Sequence, residues 1–146
     1  MSLLVTGGRG LVGSAIDADL KPTHGELELM NLEAVVAYLE ANDVTQIIHC
    51  AAKVGGIMAN NTFRAQFIYE NLAIESNLIH GAHLSDIDNL LFLGSSCIYP
   101  KNCPQPMKEE YLLTGELEPT NEPYAISKIA GIKMCESYYP CNFRNG

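Results

Sequence analysis

Tyr124 and Lys128 stand four residues apart in a stretch, Tyr124 to Tyr138, whose pattern predicts a helix. A phenol and an ammonium then share one helix face. A phenol titrates near ~10 and is a poor acid–base catalyst at neutral pH. A cation beside it favours the phenolate and can lower that value by ~1–3 units, toward the range where proton transfer is efficient. The spacing alone recurs on solvated helix faces. It gains meaning from Leu93-Gly94-Ser95-Ser96, where an apolar run ends in hydroxyls, because open α/β sheets bind ligands off the carboxyl ends of their strands.

A second constellation lies at the start of the chain. Thr6-Gly7-Gly8-Arg9-Gly10-Leu11-Val12-Gly13 carries glycines at the first, fourth and seventh positions counted from Gly7, after an apolar run and before a helical one. Backbone that turns sharply and approaches a pyrophosphate closely needs residues without Cβ, and the amides at the helix start receive the negative charge. The pattern predicts a dinucleotide cradle. An acidic residue ~20 positions further on, at the end of a second strand, ordinarily holds the adenosine ribose. Here the stretch between Gly13 and Glu26 is too short for a helix and a full strand. Glu28 is one candidate for that role, and Arg9 would suit a ribose phosphate better.

The elements that must position these groups alternate. Leu3 to Thr6, Thr45 to Ala51 and Leu90 to Leu93 read as buried strands. Ser14 to Leu20 reads as a helix halted by Pro22, and Glu26 to Leu29 alternates with period two. Leu32, Val35, Val36 and Leu39 mark an amphipathic helix, and Ala65, Ile68, Leu72, Ile79 and Ala82 a long one. Pro123 suits the first position of the last helix. Strands apolar on both faces, alternating with helices, predict an α/β fold with a doubly wound parallel sheet covered on two sides. The segment from Pro100 to Pro123 is a long, Pro-rich loop.

Composition narrows the partners. The net charge is −8, with 47% hydrophobic and 18% charged residues over 146 positions, the range of one globular domain. Such an acidic domain repels phosphate polymers, which argues against nucleic acid and anionic membranes. No apolar run reaches membrane-spanning length, and no basic region precedes the first apolar stretch. With the odd count of cysteines (Cys50, Cys97, Cys103, Cys135 and Cys141), this predicts a cytoplasmic protein with reduced thiols. The Cys97/Cys103 and Cys135/Cys141 spacings, with His80 and His83, are longer than structural zinc prefers, so no metal is expected. His49 and Cys50 read as strand and core residues, and Lys53, just past a strand end, as a solvated charge or a cofactor contact.

Taken together, the glycine loop, the strand-end serine and Tyr124-x-x-x-Lys128 resemble the extended short-chain dehydrogenase/reductases, with a Rossmann-type NAD(P)-binding domain. Ala51 to Ile57, Tyr69 to Leu72, Phe92 to Pro100, Pro106 to Glu110 and Glu118 to Lys133 are similar to the GDP-L-fucose synthase branch. That branch converts GDP-4-keto-6-deoxy-D-mannose to GDP-L-fucose by epimerisation and NADPH-dependent reduction. The resemblance implies that Ser95 hydrogen-bonds the keto oxygen and Tyr124 protonates it. It implies that Lys128 lowers the tyrosine pKa and holds the nicotinamide ribose, and that Cys97 serves the epimerisation. Gly7, Gly8, Arg9, Gly10, Leu11, Val12, Gly13, Ala51, Ala52, Leu93, Gly94, Ser95, Ser96, Tyr124 and Lys128 would contact NADP(H). A homodimer through helices 65–82 and 124–138 is also implied.

The chain departs from that pattern in three places. The segment between Gly13 and Leu32 is too short for the branch's first helix and second strand. The sequence stops where the branch continues into a substrate domain, which carries the cysteine's histidine partner and most GDP contacts. Residues 139–146 do not resemble it, giving an expected division into a Rossmann-like domain, 1–138, and a tail. A second reading therefore stands beside the enzyme: a catalytically silent, shortened nucleotide-binding or dimerising module.

Overall fold

The computed structural model describes residues 2–138; the expected tail, 139–146, lies outside them. Three strands, β1 (Ser2–Thr6), β2 (Val44–His49) and β3 (Asn89–Phe92), form a parallel sheet in the order β1-β2-β3. Leu4, Ile47 and Leu90 align across it, as do Thr6, His49 and Phe92 one row further. Between and after the strands lie α1 (Leu11–Ala15), α2 (Leu32–Ala41), α3 (Ile57–Thr62), α4 (Arg64–Leu84) and α5 (Glu122–Tyr138). The α/β fold with a parallel, Rossmann-type sheet is the one expected from the alternation.

The core explains the pairing. Val35 and Leu39 of α2 and Leu78 and Ala82 of α4 pack with Leu4 and Ile47 of the sheet. Asn31 starts α2 by accepting the Ala34 amide with its side chain, 3.1 Å away, which satisfies one donor the helix cannot use itself. Gly81 lets the two helices meet, since a Cβ there would lie 2.7 Å from Val35 Cγ1.

One expectation fails between Gly13 and Leu32, a span read as too short for a helix and a full strand. The helix predicted over Ser14 to Leu20 is replaced by the shorter and earlier α1. Leu20 is drawn to the sheet edge instead, where its carbonyl accepts the Val5 amide at 2.9 Å and its amide donates to Leu3 at 3.1 Å. This single parallel bridge occupies the place of the missing strand. The alternating Glu26 to Leu29 segment forms no strand either. Its period of two arises because Leu27 and Leu29 point into the core while a turn fastened by Glu26 Oε2 on the Thr23 amide, 2.7 Å, carries the chain outward. α3 was not foreseen.

Coverage of the sheet is uneven. The Leu4 and Thr6 rows face the helices, whereas on the reverse side Gln46 and Asn89 are exposed and Leu91 is 55% exposed. A shallow hollow of about 380 Å³ lies along these strands.

Candidate active site

The glycine loop begins where β1 ends. Gly7 has φ +68°, and a Cβ there would meet the Ala51 amide nitrogen at 2.7 Å. Side-chain-free, left-handed backbone is therefore required at this position. The turn closes through the Gly10 amide on the Gly7 carbonyl, 2.8 Å. Gly13, one turn into α1, lies directly against that carbonyl, so any Cβ there would collide with it. Gly10 differs: its φ is −77°, and a Cβ would meet only the Gly7 oxygen, at 3.2 Å. Gly7 and Gly13 thus serve the fold, while Gly10 keeps the mouth of the loop open.

That mouth opens into a cleft of about 730 Å³. Gly7 to Gly13, Ala51, Ala52 and Leu93 line it, together with His24, Glu28, Lys53 and Glu70. Glu28 is already engaged: it lies 3.1 Å from His24 Nε2 and accepts the Met30 amide at 2.9 Å. Lys53 is a lining residue rather than a solvated charge. Its ammonium holds Glu70 at 2.8 Å, and its backbone is pinned by Asn71, whose Oδ1 accepts the Lys53 amide at 2.7 Å.

The remaining expected contacts, Gly94, Ser95, Ser96, Tyr124 and Lys128, do not line this cleft and form a second group. Ser95 caps a 3-10 turn, Ser96–Ile98, and its hydroxyl oxygen accepts from the Cys97 thiol at 3.1 Å and the Cys97 amide at 3.4 Å. The serine is therefore turned toward its own cysteine. The Tyr124 phenol is half-buried and pushed up to about 12, by burial first and then by the negative charges of Cys97 and Glu75 when ionised.

Lys128 corrects an expectation. Its ammonium is buried, 3% exposed, and lies 2.9 Å from Oε1 of Glu75, itself 1% exposed. It stands 4.6 Å from the centre of the Phe92 ring and 5.8 Å from that of Tyr124. Lys128 was expected to lower the Tyr124 pKa, yet the phenol is raised. Burial is the main physical reason, and the lysine's charge lies 2.9 Å from a carboxylate.

Glu75 was missed by sequence reasoning, and a signal for it existed. Phe67, Asn71, Glu75, Leu78 and Ala82 form one buried stripe of α4, and polar side chains at core positions have a partner to meet. His49 was read correctly as a strand residue. It is fully buried, 2.7 Å from Thr6 Oγ1 through Nδ1, stacked on Phe92, and held near 3 by burial and by Lys128. His80 and His83 lie beside Tyr138 on the opposite end of α4, with no group of three metal-ligating side chains gathered among the described residues.

Residues 3–142 match the NAD dependent epimerase/dehydratase family. The chain belongs to this family. Among its members, the GDP-L-fucose synthase of Escherichia coli (strain K12) is 55% identical over 145 residues, a match that takes in 93% of this chain and 45% of that enzyme. Of solved structures, the protein DdhaC is 47% identical with a TM-score of 0.90, covering 98% of this chain and 43% of that one. MlghC, a GDP-mannoheptose C4 reductase from Campylobacter jejuni with NADP bound, is 36% identical with a TM-score of 0.87, covering 99% and 48%. This epimerase/dehydratase chain thus spans less than half the length of the relatives it matches. No helix among its described residues is long and apolar enough to cross a membrane.

Proposed function

We propose that residues 1–138 are the NADP(H)-binding domain and acid–base centre of an enzyme of the GDP-L-fucose synthase type, acting on GDP-4-keto-6-deoxy-D-mannose in the cytoplasm. The observation that carries this reading is the gathering of Ser95, Cys97 and Tyr124 at the end of β3, beside a buried lysine and next to the glycine-lined cleft. The E. coli relative supports the substrate, and the NADP-bound C. jejuni reductase supports the cofactor.

The residues present fit the cofactor. The open position at Gly10 and the close approach of Gly7 to Ala51 leave backbone, not side chains, facing the cleft, and Arg9 offers a cation for a ribose phosphate. Gly7 to Gly13 would hold the pyrophosphate, with Ala51, Ala52 and Leu93 along the cleft and Gly94, Ser95, Ser96, Tyr124 and Lys128 toward the nicotinamide. When bound, the cofactor supplies a hydride. The chain supplies the protons. The Tyr124 hydroxyl, kept protonated by its raised pKa, donates to the ketone oxygen that Ser95 orients. The Cys97 thiol, already hydrogen-bonded to the same serine, exchanges the proton on the carbon beside that ketone.

A second copy packing on α4 and α5 belongs to the same proposal. These helices are packed on each other and still present Tyr69, 66% exposed, and Ile126, 39% exposed, to the outside.

Calorimetry with NADPH tests the cofactor assignment. The chain should bind, and Gly10→Val should weaken binding at least about 100-fold, since three methyl-sized atoms enter the phosphate space. Its far-ultraviolet circular dichroism should stay unchanged, because Gly10 needs no special backbone angle. Equal affinity in Gly10→Val would remove the cradle from the argument. Turnover of GDP-4-keto-6-deoxy-mannose, followed by NADPH absorbance, is expected to be weak or absent: the chain covers 45% of the E. coli relative, and substrate positioning supplies roughly 7–11 kcal/mol in favourable cases. Any consumption observed should vanish in Tyr124→Phe. Binding without turnover supports the cofactor domain alone, and robust turnover shows a complete enzyme.

A further inference from the structure

Glu75 and Lys128 are the only buried members of the Asp, Glu, Lys and Arg set among the described residues. Such a pair is weak evidence for stability, because apolar residues of similar volume serve as well or better. Glu75 Oε2, moreover, has no hydrogen-bond partner among the described residues. The carboxylate is therefore held at a disadvantage that packing does not explain. What it meets is the ammonium of Lys128, which lies 4.6 Å from the centre of the Phe92 ring and 5.8 Å from that of Tyr124. Without an anion, an ammonium in that setting sheds its proton, since burial disfavours the charged form.

We propose that Glu75 is a positioning residue: a fixed, buried countercharge that anchors the Lys128 ammonium and keeps Tyr124 in its protonated, proton-donating form. This rests on the reading of Tyr124 and Lys128 as the acid–base pair. The charge count gives the reason. With Glu75 ionised and Lys128 protonated the cluster is neutral, and ionising Tyr124 would leave a net negative charge inside the protein. Burial is the first cause of the raised phenol, and the negative charges of Cys97 and then of Glu75 push it further in the same direction. With Glu75 neutralised, the cluster carries one positive charge, and losing a proton from Lys128 or Tyr124 becomes favourable.

The other titratable groups around the cluster do not supply this charge. His49 of β2 is neutral over the working range, the Cys50 thiol just past β2 is raised by burial against the pull of Lys128, Cys97 lies beyond β3, and the Cys135 thiol of α5 is itself pushed up to about 11 by burial and by Glu75. α2, packed on α4, brings Tyr38, half-buried, and Glu33 and Glu40, both exposed.

The experiment is a pH titration of the 146-residue chain without cofactor. Phenolate absorbance reports Tyr124 by difference from Tyr124→Phe, and the Lys128 side-chain carbon resonance, assigned by its loss in Lys128→Arg, reports the ammonium. The two protons belong to the pair, so the first to leave is the quantity compared. In Glu75→Gln it should leave at least about one unit lower in pH than in the parent, and Glu75→Asp, which keeps the charge, should recover most of the difference. A parent-like titration in Glu75→Gln overturns the proposal, and so does Glu75→Asp titrating like Glu75→Gln. If Glu75→Gln fails to fold, the combined Glu75→Gln/Lys128→Met variant decides. Recovery of folding supports a countercharge, and no recovery overturns it. None of these measurements uses NADPH or substrate. A chain that shows the shift but binds no NADPH therefore keeps the countercharge and loses the enzyme reading, while the reverse result loses only the role of Glu75.

Discussion

Replacing Lys128 with methionine is expected to destabilise the protein by about 3–5 kcal/mol at neutral pH, the range for breaking a buried ion pair from one side. Methionine fills much of the lysine's space, so the loss comes from the partner. Glu75, 1% exposed, would keep its carboxylate with its paired cation gone. The pH dependence identifies this cause. Burial already holds the Glu75 carboxyl above the ordinary range, and Lys128 is what pulls it back down. In Lys128→Met the carboxyl can escape by binding a proton, so the deficit should shrink as pH falls into the mildly acidic range. A deficit equal at neutral and acidic pH would mean that lost packing, not a stranded charge, is responsible. Urea denaturation of both proteins at the two pH values measures it. The exposed pair Lys133–Glu136, 2.7 Å apart with side chains about half exposed, is the internal comparison: Lys133→Met should change stability by only about 0–1 kcal/mol.

The contrast between these two lysines also marks what a sequence conveys. Tyr124 and Lys128 are legible as a pair because helix geometry alone places positions four apart on one face. The glycine loop is legible because its spacing, its preceding strand and its following helix agree. What Lys128 does with its charge is not legible, because the answer lies on α4, more than fifty positions away, in a glutamate surrounded by apolar residues. Local pattern does register Glu75 as a polar intruder on the stripe from Phe67 to Ala82, but only the packing of α4 on α5 names its partner. The segment from Gly13 to Leu32 was legible as too short for a full strand, but its detail was not. Leu27 and Leu29 alternate with acidic residues as a strand would, yet the core takes both leucines from a turn, and the free sheet edge is met by Leu20 alone. Strands apolar on both faces likewise predicted cover on both sides, and among the described residues Leu91 and its neighbours face solvent.

His49 should make the protein acid-sensitive from about pH 6.5 downward, starting well above the range in which the Glu26 and Glu118 carboxylates titrate. Its imidazole is fully buried between Thr6 and Phe92, its Nε2 has no hydrogen-bond partner among the described residues, and its folded value lies near 3. An unfolded chain returns it to about 6.5. Between those two values the unfolded state binds a proton that the folded state does not, so stability rises with pH there. The contribution of neutral His49 is complete above about pH 6.5 and is lost progressively as pH falls toward 3. At about 1.4 kcal/mol per unit, it amounts to roughly 2 kcal/mol lost by pH ~5 and roughly 3 by pH ~4. Glu75 works against this trend, because a carboxyl held above its ordinary value takes up its proton more readily when folded. The effect is therefore isolated by comparison with His49→Gln, which removes the titrating ring and keeps an amide for the Thr6 hydroxyl. Denaturant midpoints across this window should fall less steeply in His49→Gln than in the parent, by roughly those amounts. Parallel curves would mean that His49 takes up its proton in the folded protein as readily as in the unfolded chain, and that burial does not hold its imidazole neutral.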